Sequence, residues 1–343
     1  MHMTILWVAG GIRATSVARG DPHMRKPLVV ALCALALAAA GATPAVAAAP
    51  TPTGADTATG TGAGSTAVPD VVNGVVDNVV STVTDTASET VAGLTAPRAG
   101  AVNLAGTVSL SNCSGSVVRM PDSAADDPAL VLTNGHCLES GFPGAGEVLV
   151  DRASGRSFGL LNASGAKVAT LRADRLVYAT MTDTDAAVYR LGTTYAQIKS
   201  AYGIDALTLA DTRPAAGTAV SVPSGYWKRI YNCSVDGFAY RLKEAGWTFK
   251  DSVRYTPACN TIGGTSGSPV VDDATGKVVA VNNTGNTDGG RCTMNNPCEV
   301  DENGAVTVRR GINYAQQTYP FTACFGLDGK LDLYASGCTL PKP

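Results

Sequence analysis

From about residue 101 onward, short apolar and β-branched runs alternate with turns rich in Gly, Asn, Asp and Pro. The runs are Ser116–Met120, Ala129–Thr133, Val148–Asp151, Ala186–Leu191, Ala219–Val222, Val278–Val281 and Ala305–Arg309. Each has four to six residues, too few for a helix that must bury a stripe of 3.6-residue period. Many short strands at this spacing, bounded by turn residues, predict an all-β sandwich or barrel. One segment, Tyr195–Tyr202, reads as a helix, and no internal repeat is evident.

Upstream the pattern is different. Residues 48–100 have 31 Ala, Gly, Ser or Thr among 53 positions and no aromatic, so they bury too little apolar surface to offset ordering entropy. Within them Val71-Val72, Val75-Val76, Val79-Val80 and Val83 recur at helical spacing, although Gly74 and the β-branching oppose a stable helix. A pro-segment and a flexible spacer are both compatible with this stretch. Before it, Met24-Arg25-Lys26, the apolar run Leu28–Ala40 and Ala45-Val46-Ala47 have the charged, apolar and small-residue parts of a secretory signal peptide. A transmembrane anchor would need an apolar core of ~20 residues, longer than this one. The expected organisation is therefore an upstream segment 1–23 ahead of a second start at Met24, a signal at 24–47, the low-complexity stretch 48–100, a main domain 101–318 and a tail 319–343.

Charge and cysteine content narrow the function classes. The 343 residues carry 26 basic and 28 acidic side chains with no basic block, which excludes a polycationic nucleic-acid binder. Removal of residues 1–47 leaves a formal net charge of −5 and no second long apolar segment, so a secreted, extracellular chain is expected. Cys33 belongs to the signal. The eight remaining cysteines are Cys113, Cys137, Cys233, Cys259, Cys292, Cys298, Cys324 and Cys338. An even count in an exported chain predicts four disulfides, and the lack of any CxxC spacing argues against zinc thiolates.

Three histidines occur, and His2 and His23 precede the signal, so His136 alone remains for chemistry. It stands in Thr133-Asn134-Gly135-His136-Cys137, directly after an apolar run. Downstream, Gly263-Gly264-Thr265-Ser266-Gly267-Ser268-Pro269-Val270 sets serines among glycines, and between the two lies Thr182-Asp183-Thr184-Asp185-Ala186. A serine hydroxyl is inert at its own pKa, so a neutral imidazole must take its proton and a carboxylate must orient that imidazole. Glycines beside the serine permit backbone N–H groups to turn toward a developing oxyanion, here those of Gly264 and Ser266. Ser268 competes with Ser266 as nucleophile, and Asp183 with Asp185 as carboxylate. The glycine run lacks the Lys and following helix of a phosphate loop.

In the order His136, Asp185, Ser266, and in the motifs around them, the chain resembles the chymotrypsin-like (trypsin-family) serine peptidases, particularly secreted bacterial members. Cys113-Ser114-Gly115-Ser116-Val117-Val118 is similar to a strand of that family, and the likeness runs over about residues 105–318. The resemblance implies two antiparallel six-stranded β-barrels with the site between them, and a serine endopeptidase acting on protein or peptide substrates. It favours Ser266 and Asp185 over their competitors. It implies a Cys113–Cys137 bridge and a role for Val278–Gly285 in holding the substrate backbone, through Asn283 and Gly285. Nearness in sequence suggests Cys292–Cys298 and Cys324–Cys338, leaving Cys233–Cys259; the alternative is Cys259–Cys292 with Cys233–Cys298. The family's specificity-pocket base lies six residues before the nucleophile, at Asn260, and its lack of charge predicts an uncharged residue before the cleaved bond.

Two departures stand out. Thr265 replaces the Asp that vertebrate members place before the nucleophile, and no IVGG-like sequence lies near residue 100, so activation by a newly cut amine is not implied. Asn134-Gly135 stands where Ala-Ala is commoner. The expected chemistry needs no metal or organic cofactor, and the expected protein is a monomer. An esterase using the same triad, or a catalytically silent binding protein on the same fold, are the alternatives.

Overall fold

The computed structural model describes residues 100–343 except Leu327 and Asp328. The expected segments 1–23 and 24–47, and residues 48–99 of the low-complexity stretch, lie outside the described residues. Eight strands form a first sheet: β1 (Thr107–Ser109), β2 (Ser114–Arg119), β3 (Pro128–Thr133), β4 (Val148–Ala153), β5 (Ser157–Leu161), β6 (Lys167–Thr180), β7 (Ala186–Thr194) and β8 (Leu207–Thr208). Its order is β1-β5-β6-β7-β3-β2, and β1 also pairs with β2, so six antiparallel strands close into a barrel. Outside the ring, β4 pairs with β6 and β8 with β2.

The second sheet contains β9 (Ala219–Ser224), β10 (Arg229–Glu244), β11 (Trp247–Tyr255), β12 (Pro269–Asp272), β13 (Val278–Gly285), β14 (Cys298–Val300), β15 (Val306–Thr307) and β16 (Asn313–Gln317). It runs β11-β16-β13-β12-β9-β10 and returns through the β10–β11 pairing, a second ring of six. This is the all-β, two-barrel architecture that the resemblance implied. Helix α1 (Tyr195–Tyr202) follows β7 directly, opened by a reciprocal Thr194–Gln197 capping box.

Period-two alternation explains why the strands around the site are apolar throughout. On β3, Ala129 and Val131 face the interior of the first barrel, while Leu130 and Leu132 face a second cluster. That second cluster joins the two sheets: Val118, Leu130, Leu132, Tyr178 and Val188 meet Val271, Val278 and Val281 of β12 and β13. A strand buried on both faces reads as a continuous hydrophobic run, as Ala129–Leu132 of β3 and Val278–Val281 of β13 do; β2 is buried on both faces as well, with Ser114, Gly115 and Ser116 ahead of its two valines. The ends of those strands are thereby fixed relative to one another, and the functional loops hang from them.

The tail begins with α2 (Tyr319–Thr322) and is closed by the Cys324–Cys338 bridge. Phe321, Cys324, Phe325, Leu333 and Leu340 join the inter-sheet cluster, and Tyr178 Oη donates to Pro341 O at 3.2 Å. The tail is thus anchored in the core through these side chains. The other bridges are Cys113–Cys137, Cys233–Cys259 and Cys292–Cys298. The alternative Cys259–Cys292 pairing is not formed.

Candidate active site

β3 and β7 are neighbours, with Thr133 opposite Ala187, so the residues just beyond β3 and just before β7 meet at one edge of the barrel. His136 lies in a 3-10 turn, Gly135–Cys137, immediately after β3. The Cys113–Cys137 bridge ties this turn to the start of β2. Asp185 precedes β7 and is buried at 1% exposure. Its Oδ2 lies 2.7 Å from His136 Nδ1, and its Oδ1 accepts the His136 backbone N–H at 3.1 Å. Buried Asn134 donates from Nδ2 to Asp185 O at 2.8 Å, fixing the carboxylate's own backbone.

A carboxylate accepting at Nδ1 holds the proton on that nitrogen and leaves Nε2 as the acceptor. Burial would lower the imidazole pKa, but the charge of Asp185 and its hydrogen bond outweigh that, with help from Glu244, and the result is raised above the ordinary 6.5. Asp183 is elsewhere: it pairs with Lys250 at 2.6 Å.

Ser266 lies in the loop before β12 and lines the same cleft as His136 and Asp185. Its Oγ donates to Asn283 O at 3.2 Å, and among the described residues it makes no hydrogen bond to His136. Ser268 is fully buried and does not line the cleft.

The loop is pinned on every side. Thr265 N–H and Oγ1 both donate to Ile262 O, at 3.0 and 2.5 Å, closing a tight turn. Asn282 Nδ2 donates to Thr265 Oγ1 at 3.0 Å, and Gly267 N–H donates to Asn282 O at 2.9 Å. Trp227 Nε1 donates to Gly263 O at 2.7 Å, and Ser114 Oγ to Gly264 O at 3.0 Å. Those two carbonyls are thereby held away by the scaffold, while the Gly264 and Ser266 N–H groups donate to no protein acceptor among the described residues. Gly264 has φ +88°, which a Cβ would strain, and that Cβ would also come within 2.8 Å of the Tyr226 ring.

Asn283, itself buried, and Gly285 line the cleft from the part of β13 that runs beyond its pairing with β12. Asn260 does not. It is exposed, with φ 38°, and the cleft is lined instead by Thr261, Ile262 and Gly263. The physical reason is the long connection between Cys259 and Ser266, which carries position 260 outward. Sequence reasoning also passed over Phe142, Trp247, Asn313 and Glu244, all of which line the cleft. The Phe142 ring packs edge-on against His136 at 5.8 Å and against Trp247 at 5.9 Å. No sequence motif marks these four: Glu244, Trp247 and Asn313 reach the site through strand pairing, and Phe142 from the loop before β4.

The sulfurs of Cys113 and Cys137 lie near His136 but are joined as a disulfide, so neither is a thiolate ligand. No helix among the described residues is long and apolar enough to cross a membrane.

Residues 113–281 match the family described as "Trypsin-like peptidase domain". No curated protein is significantly similar to this chain. Solved structures with remote likeness include the Rv3671c protease from M. tuberculosis in its active form, at 15% identity over 69% of this chain and 82% of that one, TM-score 0.38. The MamO protease domain from Magnetospirillum magneticum shares 14% identity over 62% and 92%, TM-score 0.38. A Cellulomonas bogoriensis chymotrypsin shares 15% over 64% and 93%, TM-score 0.36. The family match takes in the loops of His136, Asp185 and Ser266 together: over residues 113–281 this chain carries a trypsin-like peptidase domain, and the activity that domain supports is that of a serine-type endopeptidase.

Proposed function

We propose that this chain is an exported endopeptidase in which Ser266 is the nucleophile, His136 the general base and Asp185 the carboxylate that orients it. The observation that carries this reading is the 2.7 Å bond between His136 Nδ1 and buried Asp185, opening on the cleft that Ser266 lines. For attack, the Ser266 side chain rotates from Asn283 O so that its hydroxyl donates to His136 Nε2. Oγ then adds to the scissile carbonyl as the imidazole takes the proton. The Gly264 and Ser266 N–H groups receive the oxyanion. Collapse expels the amine, which takes its proton from His136, and water repeats the sequence on the acyl-enzyme.

Thr265 serves where an acid would require a partner amine. Its hydroxyl and the Asn282 side chain hold the nucleophile loop with neutral hydrogen bonds, so the loop's order does not wait on a newly cut N-terminus. Export is supported by four disulfides, which persist in oxidising compartments. The test is hydrolysis of a peptide amide against a simple ester by the purified protein and by Ser266→Ala. Amide cleavage that Ser266→Ala abolishes is expected; turnover of the ester alone would favour an esterase.

A further inference from the structure

A buried carboxylate sits in the substrate cleft without a cationic partner. Glu244 ends β10, is 8% exposed, and lines the cleft together with His136, Trp247 and Thr284. Its Oε1 accepts the Asn295 N–H at 2.7 Å. Among the described residues no Lys, Arg or His lies within ion-pair distance of it. The contrast is local: Asp183, Asp236, Asp251 and Glu299, on or beside the same hairpin, are each matched with Lys or Arg. A carboxylate withdrawn from water is costly unless paired, so an unpaired one in a cleft discriminates strongly in favour of a ligand that brings the missing charge.

Its place within the cleft defines which part of a substrate it meets. Glu244 is paired across the hairpin with Trp247, whose ring packs on Phe142, which in turn packs on His136. Glu244 also pulls on the His136 charge, so it belongs to the histidine flank. Thr284, which favours the charged form of Glu244, follows Asn283 on the strand edge beside Ser266. The loop that makes the other wall, Thr261–Gly263, carries no charge. The hairpin tip is held rigidly, since Ala245 N–H donates to Cys292 O at 2.9 Å and Asn295 belongs to the loop closed by Cys292–Cys298. Phe142 is 50% exposed and offers its ring beside the carboxylate, a surface on which the stem of a long cationic side chain packs.

Resting on the peptidase reading above, we propose that Glu244, with Phe142 and Trp247, forms a subsite for an Arg or Lys side chain of the substrate. That side chain lies two to four residues before the cleaved bond, and the residue immediately before the bond is uncharged. Burial lifts the Glu244 carboxyl above the usual range, opposed by the Asn295 N–H, by Thr284 and by His136. An arriving cation acts in the same direction as those three and favours the charged form.

The test uses two peptide series with a neutral residue before the bond. One compares Arg with citrulline, the other Lys with norleucine, placed in turn at the second, third and fourth residue before it. At one of these positions the wild-type protein is expected to favour the cationic peptide by at least ~10-fold in kcat/KM. Glu244→Gln keeps an acceptor for the Asn295 N–H and is expected to bring that ratio close to one; Glu244→Asp keeps the charge and the preference. Equal rates for the matched wild-type peptides overturn the proposal whatever the variants do, and so does a preference that survives in Glu244→Gln. Labelling of Ser266 by a fluorophosphonate is read on the same samples. An unlabelled wild-type protein that cleaves neither series would sink the peptidase reading and this subsite with it, whereas a labelled protein with equal rates sinks the subsite alone.

Discussion

Asp183 and Asp185 stand two residues apart and have different partners. Asp185 is buried against His136, and Asp183 forms a surface pair with Lys250. Asp185→Asn is expected to lower kcat by roughly 10⁴-fold, because an amide at that place no longer enforces the Nδ1–H tautomer. Asp183→Asn is expected to retain substantial activity, since exposed pairs contribute ~0–1 kcal/mol. Steady-state kinetics of the two variants decides between the carboxylates. His136 has a pKa above 6.5, and the base must be neutral, so kcat/KM is expected to rise with pH through a midpoint above that value. The same raised pKa has a consequence for stability. The His136–Asp185 pair contributes fully below the unfolded-state histidine pKa, and that contribution fades as pH rises through the folded-state value. Urea midpoints at about pH 5 and about pH 9, for wild type and for His136→Ala, read it directly.

At this scale the sequence revealed the groups that carry their own chemical context. A lone histidine after an apolar run and a serine among glycines are legible because their neighbours are constrained by backbone geometry. Glu244 was not legible, since nothing in Leu242-Lys243-Glu244-Ala245-Gly246 distinguishes it from a solvated hairpin tip. Asn260 was misplaced because counting back from Ser266 assumes a fixed path, and the chain does not take it.

Among the elements, strands that carry a short apolar run were legible, the half-buried β4 at Val148–Asp151 included, and long strands that alternate with charged residues were not. β3 and β13 present continuous apolar runs, and two of the runs read from the sequence fall on them. The long strands β6, β10 and β11 escaped notice, because their outer positions carry Lys, Arg, Asp and Glu between inward Leu, Tyr and Phe. Alternation hides a strand from a search for apolar runs, although it is itself the strand signal. The run expected at Ala305–Arg309 shrinks to the two residues of β15, which pairs only with β14 at the sheet margin.

The nucleophile loop is the element where backbone conformation matters most for rate. Gly264→Ala forces a Cβ into φ +88° and against Tyr226, so the turn must reorganise and one oxyanion donor is misdirected. The loss of such a donor is expected to lower kcat by ~10²–10³-fold with a smaller change in KM. Single-turnover measurement of acylation checks it, and an unchanged acylation rate would remove Gly264 from the oxyanion role.

Among the described residues the two sheets meet in one apolar cluster, to which both barrels and the tail contribute. His136 and Asp185 hang from the first barrel and Ser266 from the second, so that cluster determines whether they meet. The two-barrel architecture was legible only through resemblance, because the sequence shows strands without showing which ring each one joins. The tail's place in the core was not legible, as its apolar residues are spread among Gly, Asp and Lys.

The central claim is that Ser266 becomes a nucleophile when His136 and Asp185 are assembled beside it. The most direct measurement is mass-spectrometric mapping of the adduct left by a fluorophosphonate on the folded protein, with Ser266→Ala and His136→Ala treated in parallel. One adduct on Ser266, absent from Ser266→Ala and strongly suppressed in His136→Ala, is the expected result. An adduct on Ser268 or another residue, or none on a protein whose four disulfides and fold are intact, would contradict the account.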